Sequence, residues 1–155
     1  IGTDATHSGS ANILEEMRFG MERYKWMYGK DMDPGTIFRM VTINPAKAFR
    51  IQHKTGSIEE GKLADLLLIK PRSKDPYTAF VNMEMEDIEL LVRDGSPLYG
   101  APQFEQLFIN SNVPFTRISV RKKEKLVIGD PAGLMERIRK AVGFDKTFDF
   151  IPLDD

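Results

Sequence analysis

The sequence predicts an α/β or α+β chain: helices first, then strands, then a mixture of the two. Three observations predict it. Apolar residues recur at helical spacing between Asn12 and Gly29. After Gly56 the texture changes to turn residues and then a nearly continuous apolar run, Leu63 to Ile69. Further on, Asp94-Gly95 separates two short apolar segments, the pattern of a tight hairpin.

Each element has its own signal. Ile1-Gly2-Thr3-Asp4 reads as the last residues of a buried strand running into a loop. Either the start has been trimmed, or these residues begin the tail of a longer protein. Asn12 caps the first helix, and Glu15 three residues on completes a capping-box-like pair. Ile13, Met17, Met21, Tyr24 and Tyr28 form its apolar face, and Gly29 ends it. Asp33-Pro34 opens a second helix, with Ile37, Met40 and Val41 as the buried stripe. Asn44-Pro45 repeats the device for a short third helix through Phe49. The run Leu63–Ile69 has the length of a strand buried on both faces, with Asp65 paired or near an edge. Ile88 to Arg93 and Pro97 to Tyr99 are the arms of the hairpin. A short helix carries Phe104, Leu107 and Phe108. Arg117 to Arg121 is a strand, Lys122 to Lys125 a charged turn, and Leu126 to Ile128 the partner strand. Asp130-Pro131 opens a last helix with Leu134, Ile138 and Val142 in register, stopped by Gly143. The final twelve residues read as a docked tail.

Composition narrows the function. The chain has 155 residues, 41% apolar and 29% charged, the balance of a folded globular domain and not of a disordered one. That length is one domain, well short of the roughly 250 residues of a complete (β/α)₈ barrel. No stretch approaches the roughly 20 apolar residues of a membrane span. With 22 basic and 23 acidic residues the net charge is −1, which argues against nucleic acid as a partner. Cysteine is absent, so disulfides, thiolate metal sites and cysteine nucleophiles are excluded. Two histidines, His7 and His53, are too few for a multi-histidine metal site. The lack of targeting signals points to the cytoplasm.

Asp4 is the leading candidate for chemistry. A carboxylate just past a strand end, on a loop leading to a helix, is where parallel α/β folds place functional groups. It can bind a metal or move a proton, or it can simply cap the following turn. His7 is a second candidate ligand or substrate contact, against the alternative of a solvated loop histidine. Ser8, Gly9, Ser10 and Asn12 suit a tight turn into a helix. A phosphate cradle there has no support from the glycine pattern, which matches neither a Walker loop nor a dinucleotide fingerprint. Glu15 and Glu16 point about 100° apart on a helix, so they read as caps and not as a paired acid and base. Asp65 reads as a satisfied carboxylate and Arg117–Lys125 as a solvated turn. The eight methionines read mainly as core gap fillers.

Three segments together resemble the C-terminal part of the metal-dependent amidohydrolase superfamily, nearest its cytosine deaminase, chlorohydrolase and imidazolonepropionase-like branch. The first is Gly2-Thr3-Asp4-Ala5 with Ser8 and Leu14-Glu15-Glu16-Met17. The second is Thr42-Ile43-Asn44-Pro45-Ala46-Lys47-Ala48. The third is Gly56-Ser57-Ile58-Glu59-Glu60-Gly61-Lys62-Leu63-Ala64-Asp65-Leu66. Val92 to Gly100 is similar to that family's closing hairpin.

The resemblance implies an incomplete (β/α)₈ barrel joined to part of a small β-sandwich. Residues 1–55 would be the end of the barrel, 56–100 the sandwich segment, and 101–155 a helix and hairpin extension. It implies that Asp4 stands at the end of the eighth strand, contacts a divalent metal (zinc or iron) and carries a proton from metal-bound water to the leaving nitrogen. The substrate class is a small molecule: a cyclic amide, an amidine or an aminated ring. Ser8 becomes a substrate or loop contact, while His7 matches no family ligand. The family's His-x-His pair is missing, and one aspartate falls short of the three protein ligands a catalytic metal takes. The expectation is a fragment that neither binds metal tightly nor catalyses alone. The alternatives are a small non-catalytic binding or oligomerisation module, and one chain of a two-chain enzyme. Helices made to pack on absent strands leave apolar faces open, so a homo-oligomer in which copies cover each other is expected.

Overall fold

The computed structural model describes residues 1–5 and 8–144; His7 and nearly all of the expected docked tail lie outside the described residues. Its helices are α1 (Ile13–Tyr28), α2 (Pro34–Val41), α3 (Ile43–Ala48), α4 (Pro76–Val81), α5 (Glu105–Asn110) and α6 (Pro131–Val142). Its strands are β1 (Leu66–Ile69), β2 (Ile88–Arg93), β3 (Ser96–Gly100), β4 (Phe115–Val120) and β5 (Lys123–Ile128). They form one five-stranded sheet in the order β1-β2-β3-β5-β4. Every neighbouring pair is antiparallel. The fold is therefore a mixed α and β structure around an antiparallel sheet.

Local chemistry sets the elements. Asn12 Oδ1 accepts from the N–H groups of Leu14 and Glu15 at 3.0 and 3.1 Å, satisfying two of the four open donors of α1. Gly29 closes α1 in the left-handed region at φ 66°. Asp33 starts α2, its Oδ2 accepting from Thr36 N at 2.9 Å. Asp75-Pro76 uses the same device for α4, with Thr78 N donating to Asp75 Oδ2 at 2.7 Å. In the β2–β3 turn Asp94 and Gly95 have φ of 48° and 77°, as a type I′ turn demands.

The helical core is α1 and α2 packed with the segment Val81–Met83. Leu14, Met17, Ile37, Val81 and Met83 are buried, with Met21, Met32, Met40 and Met85 packed on them. Six of the chain's eight methionines thus fill one core, where flexible side chains suit irregular gaps. A second cluster lies on the sheet. Phe108, Val120 and Leu126 are buried there, and the Phe108 ring lies 5.3 Å from that of Phe115.

Several expectations need correction. Residues 1–5 form no strand, because no described strand runs beside them to pair with. The Ile1 amino group instead donates to Met40 O at 3.3 Å. α3 begins at Ile43, one residue before Asn44, and has no side-chain cap bond. On α1 the buried face is Leu14 and Met17, while Ile13 and Tyr28 are exposed. The run at Leu63–Ile69 yields only a four-residue strand, and it is not buried on both faces: Leu66, Leu67 and Leu68 are exposed. β1 is the sheet's edge, and no described element covers those side chains. The turn between β4 and β5 is Arg121-Lys122, with φ of 47° and 64°, so β5 starts three residues earlier than expected. The stripe of α6 is not buried; Leu134 and Val142 stay exposed.

The early start of β5 buries Lys125. Its ammonium donates to Ile88 O at 2.6 Å, and burial pushes its pKa down. It belongs to an ion network around residues 84–89. Arg72 pairs with Asp87 and, at 3.1 Å, with Glu86. Arg18 and Arg121 both reach Glu84 at 3.5 Å. Burial pushes the Asp87 carboxyl up, but the Arg72 guanidinium, the Glu84 N–H and Lys123 outweigh it and hold it below the usual range. A carboxyl depressed in the folded state contributes stability above its unfolded pKa of about 3.9 and loses it as pH falls through the folded value. Asp87→Asn is therefore expected to lower the urea midpoint at pH 7. As pH falls below about 4 the gap between the two proteins should narrow, closing only below the folded value, as measured by denaturation over a pH series.

Candidate active site

The loop ahead of α1 carries the predicted residues. Asp4 is exposed, with φ 53°, a left-handed conformation that Asp tolerates better than most side chains. Ser8 N and Gly9 N both donate to Ala5 O, at 2.9 and 2.8 Å, closing a tight turn. The turn brings Ser8 Oγ to Asp4 Oδ2 at 3.0 Å. Two of the candidate residues, Asp4 and Ser8, are thus joined by a hydrogen bond.

The loop is anchored from the other side by α1. Ser10 Oγ donates to Glu16 Oε2 at 2.7 Å, Ala11 N to Glu15 Oε2 at 3.2 Å. Glu15 and Glu16 act as capping and tethering groups and not as an acid–base pair. The two Asn12 bonds take two of the four open donors at the head of α1. Sequence reasoning missed the part played by Gly9. A Cβ built on it would stand 1.6 Å from Thr3 O, so only glycine allows the loop to close over the residue before Asp4.

Asp65 is not part of this site. Its Oδ2 accepts from Thr55 Oγ1 at 2.7 Å and its Oδ1 from Asp94 N at 2.9 Å. The Thr55 hydroxyl, helped by the Asp94 N–H, holds its carboxyl below the usual range. It ties the hairpin turn to the 55–65 loop, which is why a carboxylate interrupts the apolar run. Arg117 is likewise structural, paired with Glu105 at 2.6 Å and with Glu124.

A second concavity of about 900 Å³ lies between α2–α3 and β1, lined by Phe38, Val41, Ile43, Phe49, Leu67 and Ile69 among others. Its lining is mainly apolar and its one carboxylate, Asp65, is already bonded. It has the character of an unpacked face more than of a reaction site.

Metal chemistry has a clear test here. Among the described residues no three His, Cys, Asp or Glu side chains lie together as a metal site. Asp4 offers one carboxylate, bonded to a hydroxyl. The described residues do not by themselves fit a catalytic metal, and no step below is routed through one.

The model of the amidohydrolase family matches residues 1–98, and the chain belongs to that family. A putative aminohydrolase of Methanothermobacter thermautotrophicus is 34% identical over 96 residues, 61% of this chain and 24% of the relative. An adenine deaminase of Rubrobacter xylanophilus is 46% identical over 39 residues, 25% of this chain and 6% of the relative. A urease subunit alpha of Streptomyces coelicolor is 36% identical over 104 residues, 63% of this chain and 17% of the relative. The chain thus spans a quarter or less of the length of these curated relatives. No helix among the described residues is long and apolar enough to cross a membrane.

Proposed function

We propose that this chain supplies the closing segment of a hydrolase that cleaves a C–N bond in a cyclic amide, an amidine or an aminated ring, in the cytosine deaminase and imidazolonepropionase-like branch. The observation that carries the reading is the Asp4–Ser8 pair at the head of the family-matching segment. In this reading residues 1–55 close a (β/α)₈ barrel, residues 56–100 belong to a sandwich, and a small-molecule substrate meets Asp4 at the barrel mouth. The apolar faces of α2–α3 and β1 support it, since they have the composition of buried surface and nothing described covers them. A zinc or iron ion, where present, would take its other ligands from segments outside these residues.

The chemistry of this chain's own groups is a proton relay. Asp4 Oδ1 accepts a proton from the attacking water. The resulting hydroxide adds to the carbon, the C–N bond breaks, and Asp4 returns the proton to the leaving nitrogen. Ser8 holds the carboxylate by donating to Oδ2, which keeps the other oxygen aimed. Ser8→Ala is expected to slow turnover about tenfold, the worth of one hydrogen bond of roughly 1–1.5 kcal/mol, with the fold unchanged. Steady-state kinetics beside a circular dichroism melt checks both parts.

The reading as a whole is tested by expressing the complete reading frame around these residues and assaying ammonia release from adenine, cytosine and urea, and ring opening of cyclic amides by loss of their ultraviolet absorbance. Turnover by the long product and none by residues 1–155 is the expected pattern. Equal activity of the short chain alone, or none of these substrates turned over by the long product, contradicts it. Activity that appears only on mixing with a separate polypeptide points to a two-chain enzyme.

A further inference from the structure

The face of α1 turned away from the core has a pattern of which the site uses only Glu15, through its Oε2. Glu15, Phe19, Glu22, Arg23, Trp26 and Lys30 are all exposed, while Leu14 and Met17 on the other side are buried. At 100° per residue, those of the six that lie within α1 fall on the half of the helix opposite Met17, and Lys30 follows just past the Gly29 cap. Trp26, the chain's single tryptophan, is 77% exposed and Phe19 46%. The Arg23 guanidinium lies between them, 5.0 Å from the Phe19 ring centre and 6.0 Å from that of Trp26. An aromatic–arginine–aromatic group on an outer surface has the composition of an interface hot spot.

The order of the residues says what covers it. Inverted about the point between Glu22 and Arg23, the strip maps onto itself with a complementary residue at each position. Glu15 exchanges with Lys30, Phe19 with Trp26, and Glu22 with Arg23. A two-fold axis through that point, set between antiparallel helices, brings carboxylate to ammonium, ring to ring, and carboxylate to guanidinium, each twice. This is the self-complementarity an isologous interface requires. We infer that the outer face of α1 is a dimer interface, and that its partner is the same face of a second copy of this chain packed antiparallel.

The inference stands apart from the proposed reaction. It uses none of the apolar faces of α2, α3 and β1 that line the concavity. Trp26 and the exposed half of Phe19 from each copy supply the apolar centre of a small interface. The dimer is accordingly expected to form in the micromolar range, about 1–100 μM. Its charged pairs sit at the rim and are screened, so added salt weakens it.

Charge reversal separates this interface from any other sticky surface. Glu22→Arg sets guanidinium against guanidinium across the axis, and Arg23→Glu sets carboxylate against carboxylate. By the two-fold symmetry each clash occurs twice, and each variant should dimerise at least roughly tenfold more weakly. In the heterodimer formed by an equimolar mixture of the two variants, both contacts across the axis join a guanidinium to a carboxylate, so neither like-charge clash of the homodimers remains. Sedimentation velocity over a concentration series on the full chain reads the outcome, with Trp26 emission as a local reporter. Expected are a wild-type dimer with blue-shifted emission, weakened single variants, and a heterodimer on mixing that is tighter than either variant's homodimer. A monomeric wild type overturns the inference. So does association unchanged in both variants, a mixture no tighter than its components, or Trp26 emission that stays fully solvent-like in the dimer.

Discussion

Asn in place of Asp4 is expected to lower the turnover of the assembled hydrolase by about 10²–10⁴-fold, with KM little changed. The amide keeps the size and the hydrogen bond from Ser8 but can no longer accept the proton of water. Asn is the right replacement because Asp4 sits at φ 53°, a conformation Asn adopts about as readily as Asp. Ala would add backbone strain and blur the result. Asp4 is exposed, so its exchange should leave the melting curve unmoved. Loss of turnover together with a lowered melting temperature would assign Asp4 a structural role instead.

The second large effect concerns the sheet. Phe108→Ala is expected to destabilise the chain by about 3–5 kcal/mol, read from the urea midpoint and slope. Phe108 is fully buried, packs on Phe115 and lies close to Gly100 of β3. β3 in turn pairs with β5 through Tyr99–Val127 and Gly100–Leu126. If α5, β4 and β5 are one cooperative unit with the hairpin, one transition should shift as a whole. A separate, earlier transition in the variant, with the rest of the unfolding curve unchanged, would show that the extension folds by itself.

What was legible in the sequence follows from whether the signal was local. α1, α2 and the β2–β3 turn were readable because Asn12, Asp33 and Asp94-Gly95 act on donors or dihedrals within a few residues. α4 has the same Asp-Pro opening at Asp75-Pro76, but its six residues are too few to show a period. The exposure of β1 could not be read at all. An apolar run declares that a strand is meant to be covered, and only the neighbours decide whether it is. Lys125 misled for the converse reason. Its charge reads as solvated, yet its position in β5 carries the ammonium to a buried carbonyl of β2.

The candidate residues were legible in the sequence, and their support was not. Asp4 stands out as a carboxylate on a loop leading to a helix, Ser8 enters through the family resemblance, and the structure joins the two at 3.0 Å. The need for glycine at position 9 comes from the approach of Thr3, a contact between backbone segments that no motif encodes. The tether from Ser10 to Glu16 spans a loop and a helix turn, which spacing rules for a single element do not reach.

The central claim is that Asp4 carries the proton in C–N hydrolysis. The most direct measurement is a distance: that from the Asp4 carboxylate to the attacking water in a crystal structure of the long product bound to a substrate analogue. The account predicts an Asp4 oxygen within about 3.2 Å of that water, with Ser8 still bonded to the other oxygen. A carboxylate turned to bulk solvent, with a different residue holding the water, would contradict it.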